Sequence, residues 1–197
     1  MKLFYKPIFS REKKAFTLIE MIVSISVITM ITALFIANYR SANKRSDLIM
    51  SAQNLVADLH LAQNNTLGLV KYNAAVPASG WGVYFDIASS SYVLFADLDP
   101  AGTQGYMSLD AATEARAEYG GRVTTLAPDI RITKLTTTGG VIGNTATVTF
   151  LPPDPRTNIY RDATATSTSL EIEMTEGRNN SIKTIRVNFL GLIEVLD

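Results

Sequence analysis

Glu20 is the residue in this sequence that most needs a chemical explanation. It is the one charged side chain in FTLIEMIVSISVITMITALFIA, the 22 residues 16–37. A carboxylate in apolar surroundings is costly unless it is protonated, snorkels to water or meets a cation. The chemistry open to it is ion pairing, which a low dielectric strengthens. Asp97 and Asp99 form a second candidate, within Asp97-Leu98-Asp99-Pro100-Ala101-Gly102. Their oxygens are of the kind calcium takes, roughly six to eight at a time. Only two carboxylates are in view, Pro100 breaks the EF-hand pattern, and turn chemistry accounts for Asp, Pro and Gly equally well. His60 is the only histidine and cysteine is absent. Sites built on two imidazoles or on a thiolate are therefore excluded. No nucleophile stands beside a base, so neither catalysis nor a cofactor is expected.

The element that must position Glu20 is a helix. At about 1.5 Å per residue, 22 residues span roughly 33 Å, enough for a hydrocarbon core of about 30 Å. Ahead of it, residues 1–15 hold Lys2, Lys6, Arg11, Lys13 and Lys14 against Glu12, a net charge of +4. The whole chain has 18 basic and 18 acidic residues, so the other 182 residues hold 13 and 17, a net of −4. Arg40, Lys44 and Arg45 follow the apolar run. The basic excess lies on the N-terminal side, which favours a cytoplasmic N-terminus and an outside C-terminal part. A cleaved secretory signal fits poorly. The run exceeds the usual 7–15 apolar residues and lacks a small-residue cleavage site at its end. A plain signal anchor leaves Glu20 unexplained.

Lys13-Lys14-Ala15-Phe16-Thr17-Leu18-Ile19-Glu20 closely resembles the class III signal of type IV pilins and pseudopilins. In that family a short basic leader ends in a small residue, and Phe-Thr-Leu-Ile-Glu opens an apolar helix. The resemblance implies cleavage by prepilin peptidase between Ala15 and Phe16, then N-methylation of Phe16. Lys13 and Lys14 supply the leader charge. Glu20 becomes the fifth mature residue, and its implied role is assembly, pairing with the amine of Phe16 on a neighbouring subunit. That amine, with a reference pKa near 8, is charged near neutral pH. Two departures stand out. The family usually has Gly where Ala15 stands, and many relatives carry a Pro where Ala37 stands. No Pro lies between Pro7 and Pro77.

The helix should continue beyond the membrane. Leu48, Ala52, Leu55, Leu59 and Ala62 recur at steps of four and three, one apolar face at helical spacing. Asp47, Asn54, Asp58 and Gln63 supply polar positions, and Gly68 fits a stop. Past Gly68 the period falls to two. Residues 80–86 and 91–97 read as a hairpin. Further strands are predicted at 130–135, 145–151, 169–175, 183–189 and 192–196. Leu170, Ile172 and Met174 alternate with Glu171 and Glu173, and Ile185, Val187 and Phe189 alternate with Arg186 and Asn188, so one face meets a core. The expected fold class is α+β: a long N-terminal helix, half transmembrane, packed on an antiparallel β-sheet head, a pilin-like layout. The expected divisions are a leader at 1–15, an assembly half of the helix at 16–37, an extracellular half at 38–68 and a head at 69–197. The Ala/Leu-rich helix end, Gly80-Trp81 and the closing strand pair around Gly191 look most like the H-type minor pseudopilins of type II secretion and the T-type fimbrial minor pilins.

The resemblance implies a structural or priming subunit of a pilus or a type II secretion pseudopilus. Its implied partners are prepilin peptidase, other pilin or pseudopilin subunits, the inner-membrane assembly platform and membrane lipid. Its implied place is the bacterial inner membrane as a single pass, N-terminus cytoplasmic and head outside, and a filament after assembly. The alternative is a membrane-anchored extracellular binding module, for DNA or surface adhesion, that never polymerises. Binding phosphates would need clustered Lys and Arg. Here, past Lys71, they are scattered from Arg116 to Arg186, with none in 136–155. Nucleic acid is therefore not an expected partner.

Overall fold

The computed structural model describes residues 16–72, 74–97, 122–152, 156–161, 164–165, 167–177 and 180–196. The chain divides into two compact units, one up to Ser41 and one from Ala42. A single helix, α1 (Leu18–Leu67), runs through both.

In the first unit, Leu18–Ile36 has a mean hydropathy of 2.3 and is long and apolar enough to cross a membrane. All its side chains are exposed. Its hydroxyls make no demand on a partner. Ser24, Ser26, Thr29 and Thr32 each donate to the carbonyl one turn back, at 2.7–2.8 Å. Such bonds remove the cost that a free hydroxyl would carry in hydrocarbon.

In the second unit α1 changes surroundings. Leu48, Ala52, Leu55, Leu59 and Ala62 are all buried, as the spacing predicts. The head is built from β1 (Trp81–Asp86), β2 (Ser91–Ala96), β3 (Arg122–Thr125), β4 (Ile130–Thr137), β5 (Val141–Gly143), β6 (Thr145–Leu151), β7 (Arg156–Arg161), β8 (Thr164–Ala165), β9 (Ser169–Glu176), β10 (Ile182–Asn188) and β11 (Ile193–Leu196). Every strand pair is antiparallel. The class is α+β. There are two sheets where the sequence led us to expect one. Their orders are β3-β2-β1-β6-β7-β8 and β11-β10-β9-β4-β5. The chain alternates between them: β1–β3 in the first, β4–β5 in the second, β6–β8 back in the first, β9–β11 in the second.

One core joins the helix stripe to both sheets. Val83, Phe85, Tyr92, Val148 and Phe150 come from the first sheet, and Ile132, Leu135, Leu170, Ile172, Met174, Ile185 and Val187 from the second. Burying each such side chain contributes about 1.5–3 kcal/mol. Strand β9 alternates as predicted, but β2 is buried on both faces, with Val93 and Phe95 on the face away from the main core. Phe189 departs from its expected place in a strand. The Asn188 side chain accepts from the amides of Leu190 and Leu192 and turns the chain there, so Phe189 lies in the turn, half exposed.

The end of α1 is stitched to β1. Trp81 donates its backbone amide to Thr66 Oγ1 at 2.9 Å and its indole NH to the Val70 carbonyl at 3.1 Å. Gly80 makes the approach possible. Its φ is +83°, and a Cβ there would lie 1.8 Å from the Phe150 carbonyl oxygen. The helix ends at Leu67, just before Gly68 as expected, but Gly68 does not take the left-handed turn. Val70 N bonds Asn65 O and Leu69 N bonds Thr66 O, the paired bonds of a Schellman motif. The left-handed position is Leu69, with φ 48°, and not Gly68. A non-glycine residue there costs roughly 1–2 kcal/mol. Leu69→Gly is therefore expected to stabilise the head by about 1 kcal/mol, a rise in Tm of about 2–4 °C for a domain of this size. Differential scanning calorimetry of the detergent-solubilised chain checks this, and an unchanged or lower Tm would count against it.

Candidate functional site

The N-terminal segment holds the first group of site residues. Phe16 and Glu20 are both exposed. Thr17 Oγ1 accepts from the Glu20 backbone NH at 3.3 Å. Thr17 is thus the N-cap of α1, and Glu20 stands at its third position, the T-x-x-E spacing of a capping box. This gives Glu20 a local role that the sequence reading lacked, since a carboxylate in the first turn also complements the helix dipole. The side chain remains exposed, and among the described residues no cation pairs with it. Lys13, Lys14 and Ala15 lie outside the described residues.

The head contains a buried carboxylate that the sequence reading treated only as a polar position. Asp58 is 8% exposed. Its Oδ2 accepts from the Tyr92 hydroxyl at 2.9 Å and from Thr124 Oγ1 at 3.2 Å. Its Oδ1 accepts from the Arg122 guanidinium, whose side chain is about half exposed. The cluster ties the C-terminal part of α1 to β2 and to the edge strand β3, beside an open groove lined also by Asn54, Ala57, Val123 and Thr125. Asp58 was legible in part, because it is three residues after Leu55 and four before Ala62, on the flank of the apolar stripe. Its partners are 34 to 66 residues away, and no sequence spacing announces them.

Burial and then the Asp58 charge push the Tyr92 hydroxyl well above its ordinary value. Burial also raises Tyr160, opposed by a hydrogen bond from Asn158 and aided by the Asp97 charge. Both phenols are neutral at physiological pH; Tyr92 donates to Asp58 and Tyr160 accepts from the Asn158 amide.

Of the calcium candidates, Asp97 is buried at 1% exposure. Its backbone closes the hairpin, with Asp97 N on the Gly80 carbonyl at 2.8 Å and its carbonyl on Ser79 N at 3.2 Å. Asp99 lies outside the described residues. Among those residues, no group of three His, Cys, Asp or Glu is placed to hold a metal. His60 is exposed on α1.

Residues 10–36 match the family described as the prokaryotic N-terminal methylation motif. The match ends at Ile36, where the membrane-length apolar segment also ends. The chain therefore carries a type IV pilin-like prepilin signal for peptidase processing, the signal of pilus- or pseudopilus-type proteins, on a helix that fits membrane anchoring. No curated protein and no solved structure matches the chain.

The two tyrosines yield a pH test. A raised folded-state pKa means that the native state holds its proton more tightly than the unfolded chain does. The resulting stability is full below about pH 10 and is lost as pH rises beyond the ordinary phenol value. Urea midpoints between pH 8 and 11.5 should fall above pH 10. Tyr92→Phe should flatten that fall while lowering stability at pH 8 by about 1–3 kcal/mol, since Asp58 loses a buried donor. An unchanged alkaline slope in the variant would refute the assignment.

Proposed function

We propose that the chain is a minor pilin-like (pseudopilin) subunit, cut between Ala15 and Phe16 by prepilin peptidase, N-methylated on Phe16 and assembled into a type IV pilus or type II secretion pseudopilus. The observation that carries this reading is the continuity of the matched motif with the apolar segment Leu18–Ile36, whose single charged side chain is Glu20. In this reading residues 1–15 are the leader, 16–37 the membrane and assembly half of the helix, 38–68 its extracellular half, and 69–197 the head. The head is of the kind found in the H-type minor pseudopilins and T-type fimbrial minor pilins, with a structural or priming role. The N-terminus is cytoplasmic and the head lies outside the inner membrane.

Glu20 has a defined task here. Cleavage exposes a charged amine on Phe16, and both groups are costly in an apolar bundle unless they meet. A carboxylate on one subunit and an amine on its neighbour satisfy each other and align the incoming chain. The same residue sits in the first turn of its own helix, its backbone NH bonded to Thr17 Oγ1, so the start of the helix that carries the carboxylate is set before assembly.

Intact-mass measurement of the membrane form tests the reading. The expected mass lacks residues 1–15 and carries one methyl group on Phe16. An uncleaved chain would instead favour the membrane-anchored module that does not polymerise. Glu20→Val should still be cleaved but should enter filaments at a small fraction of the wild-type level. Wild-type incorporation of that variant would remove Glu20 from assembly.

A further inference from the structure

The buried stripe on α1 begins with a charge. Lys44 lies four residues before Leu48 and so occupies the next position of the same stripe toward the N-terminus. It is 21% exposed. Its ammonium group lies 2.5 Å from Asp129 Oδ2 and 3.9 Å from Glu176 Oε1. Glu176 ends β9 and is 1% exposed, so its carboxylate is held out of water. Asp129 precedes β4 in a left-handed conformation, with φ 71°. Aspartate is among the non-glycine residues that adopt this backbone, and here its carboxylate reaches Lys44 on the helix. The two loops that present these groups are joined to each other, since Gly177 N donates to the Asp129 carbonyl at 2.9 Å. Among the described side chains N-terminal to Lys44, none is buried.

We infer that Lys44, with Asp129 and Glu176, is a charged latch that sets where the head's grip on the helix ends. Lys44 is a positioning residue. It joins one helix turn to two loops of the second sheet at the border between helix covered by the head and helix that is not. The physical reason for a charge there is directional. An apolar residue at this position would bury area without a fixed partner, whereas an ammonium between two carboxylates holds one geometry. Opening the latch frees the turn before Leu48 and the two loops while the core stays closed, because the stripe from Leu48 to Ala62 packs independently of it. This property belongs to the head and holds whether or not the chain polymerises.

Hydrogen exchange on the full chain in detergent micelles tests the latch. Lys44→Met keeps most of the side-chain stem and removes the charge. It should speed exchange by about ten-fold in residues 44–48, 127–131 and 176–182, and leave 55–62 and 170–174 unchanged. Lys44→Arg should behave as wild type. If the Met variant yields too little folded protein, 1 M salt on the wild type should produce the same local pattern more weakly, since the pair is partly exposed. Unchanged exchange in the three segments would overturn the proposal. So would a uniform rise across the head, which would make Lys44 an ordinary stability contact.

Discussion

The burial of one helical stripe against two sheets is the contact on which the head depends. Leu55, Leu59 and Ala62 have no exposed surface, and Leu48 and Ala52 have 2%. Neither sheet can close its inner face without them. Val83 and Val148 of one sheet and Ile172 and Ile185 of the other belong to the same cluster as the stripe. Truncating one buried leucine of this kind typically costs about 2–5 kcal/mol. That is a large share of a domain's usual 5–15 kcal/mol. The chain has no cysteine, so no disulfide backs up the packing. The polar ties, Asp58 to Tyr92 and Thr66 to Trp81, fix register around this contact and do not replace it.

The same helix must satisfy two different solvents. From Leu18 to Ile36 it is apolar on all sides, and its hydroxyls are turned back onto its own carbonyls. From Leu48 onward it is apolar on one face only. A helix apolar all round needs lipid or other chains to cover it, whereas an amphipathic one needs a single folded partner. The head is that partner for the second half. The first half carries the prepilin signal and is long and apolar enough to fit membrane anchoring. Glu20 is the exception inside the apolar part, and Thr17 holds its backbone in place.

Much of this was legible in the sequence because it is written in local periodicity. The stripe at steps of four and three, the hairpin at 81–96, the alternation of β9 and the FTLIE junction each lie within a short window. The division into two sheets was not legible. Strands β3 and β5 are edge strands of four and three residues, β8 has two, and β7 is approached through a proline-rich stretch. Without them the remaining strands read as one sheet. Gly68 marks the helix end correctly by residue type, but the left-handed backbone falls on Leu69, a choice made by the hydrogen bonds of the last turn. Asp58 and Lys44 both sit on or beside the apolar stripe, so the burial of Asp58 and the partial burial of Lys44 could have been read from spacing. Their partners could not, because strand topology alone brings Arg122, Thr124, Asp129 and Glu176 to them. Phe16 and Glu20 were found from the motif, but the capping bond at Thr17 explains why the motif's own spacing suits a helix start.

In the proposed subunit one helix is covered by the membrane in its first half and by the head in its second. The absence of native cysteine makes single-cysteine accessibility a clean measure. Val27→Cys, Ala52→Cys and Gln53→Cys would each be placed in the full chain in native membranes and exposed to a water-soluble maleimide, with and without urea. The account predicts that Gln53→Cys reacts at once, that Ala52→Cys reacts only when urea opens the head, and that Val27→Cys stays protected in both conditions. Reaction of Val27→Cys in native membranes, or its unmasking by urea together with Ala52→Cys, would contradict it.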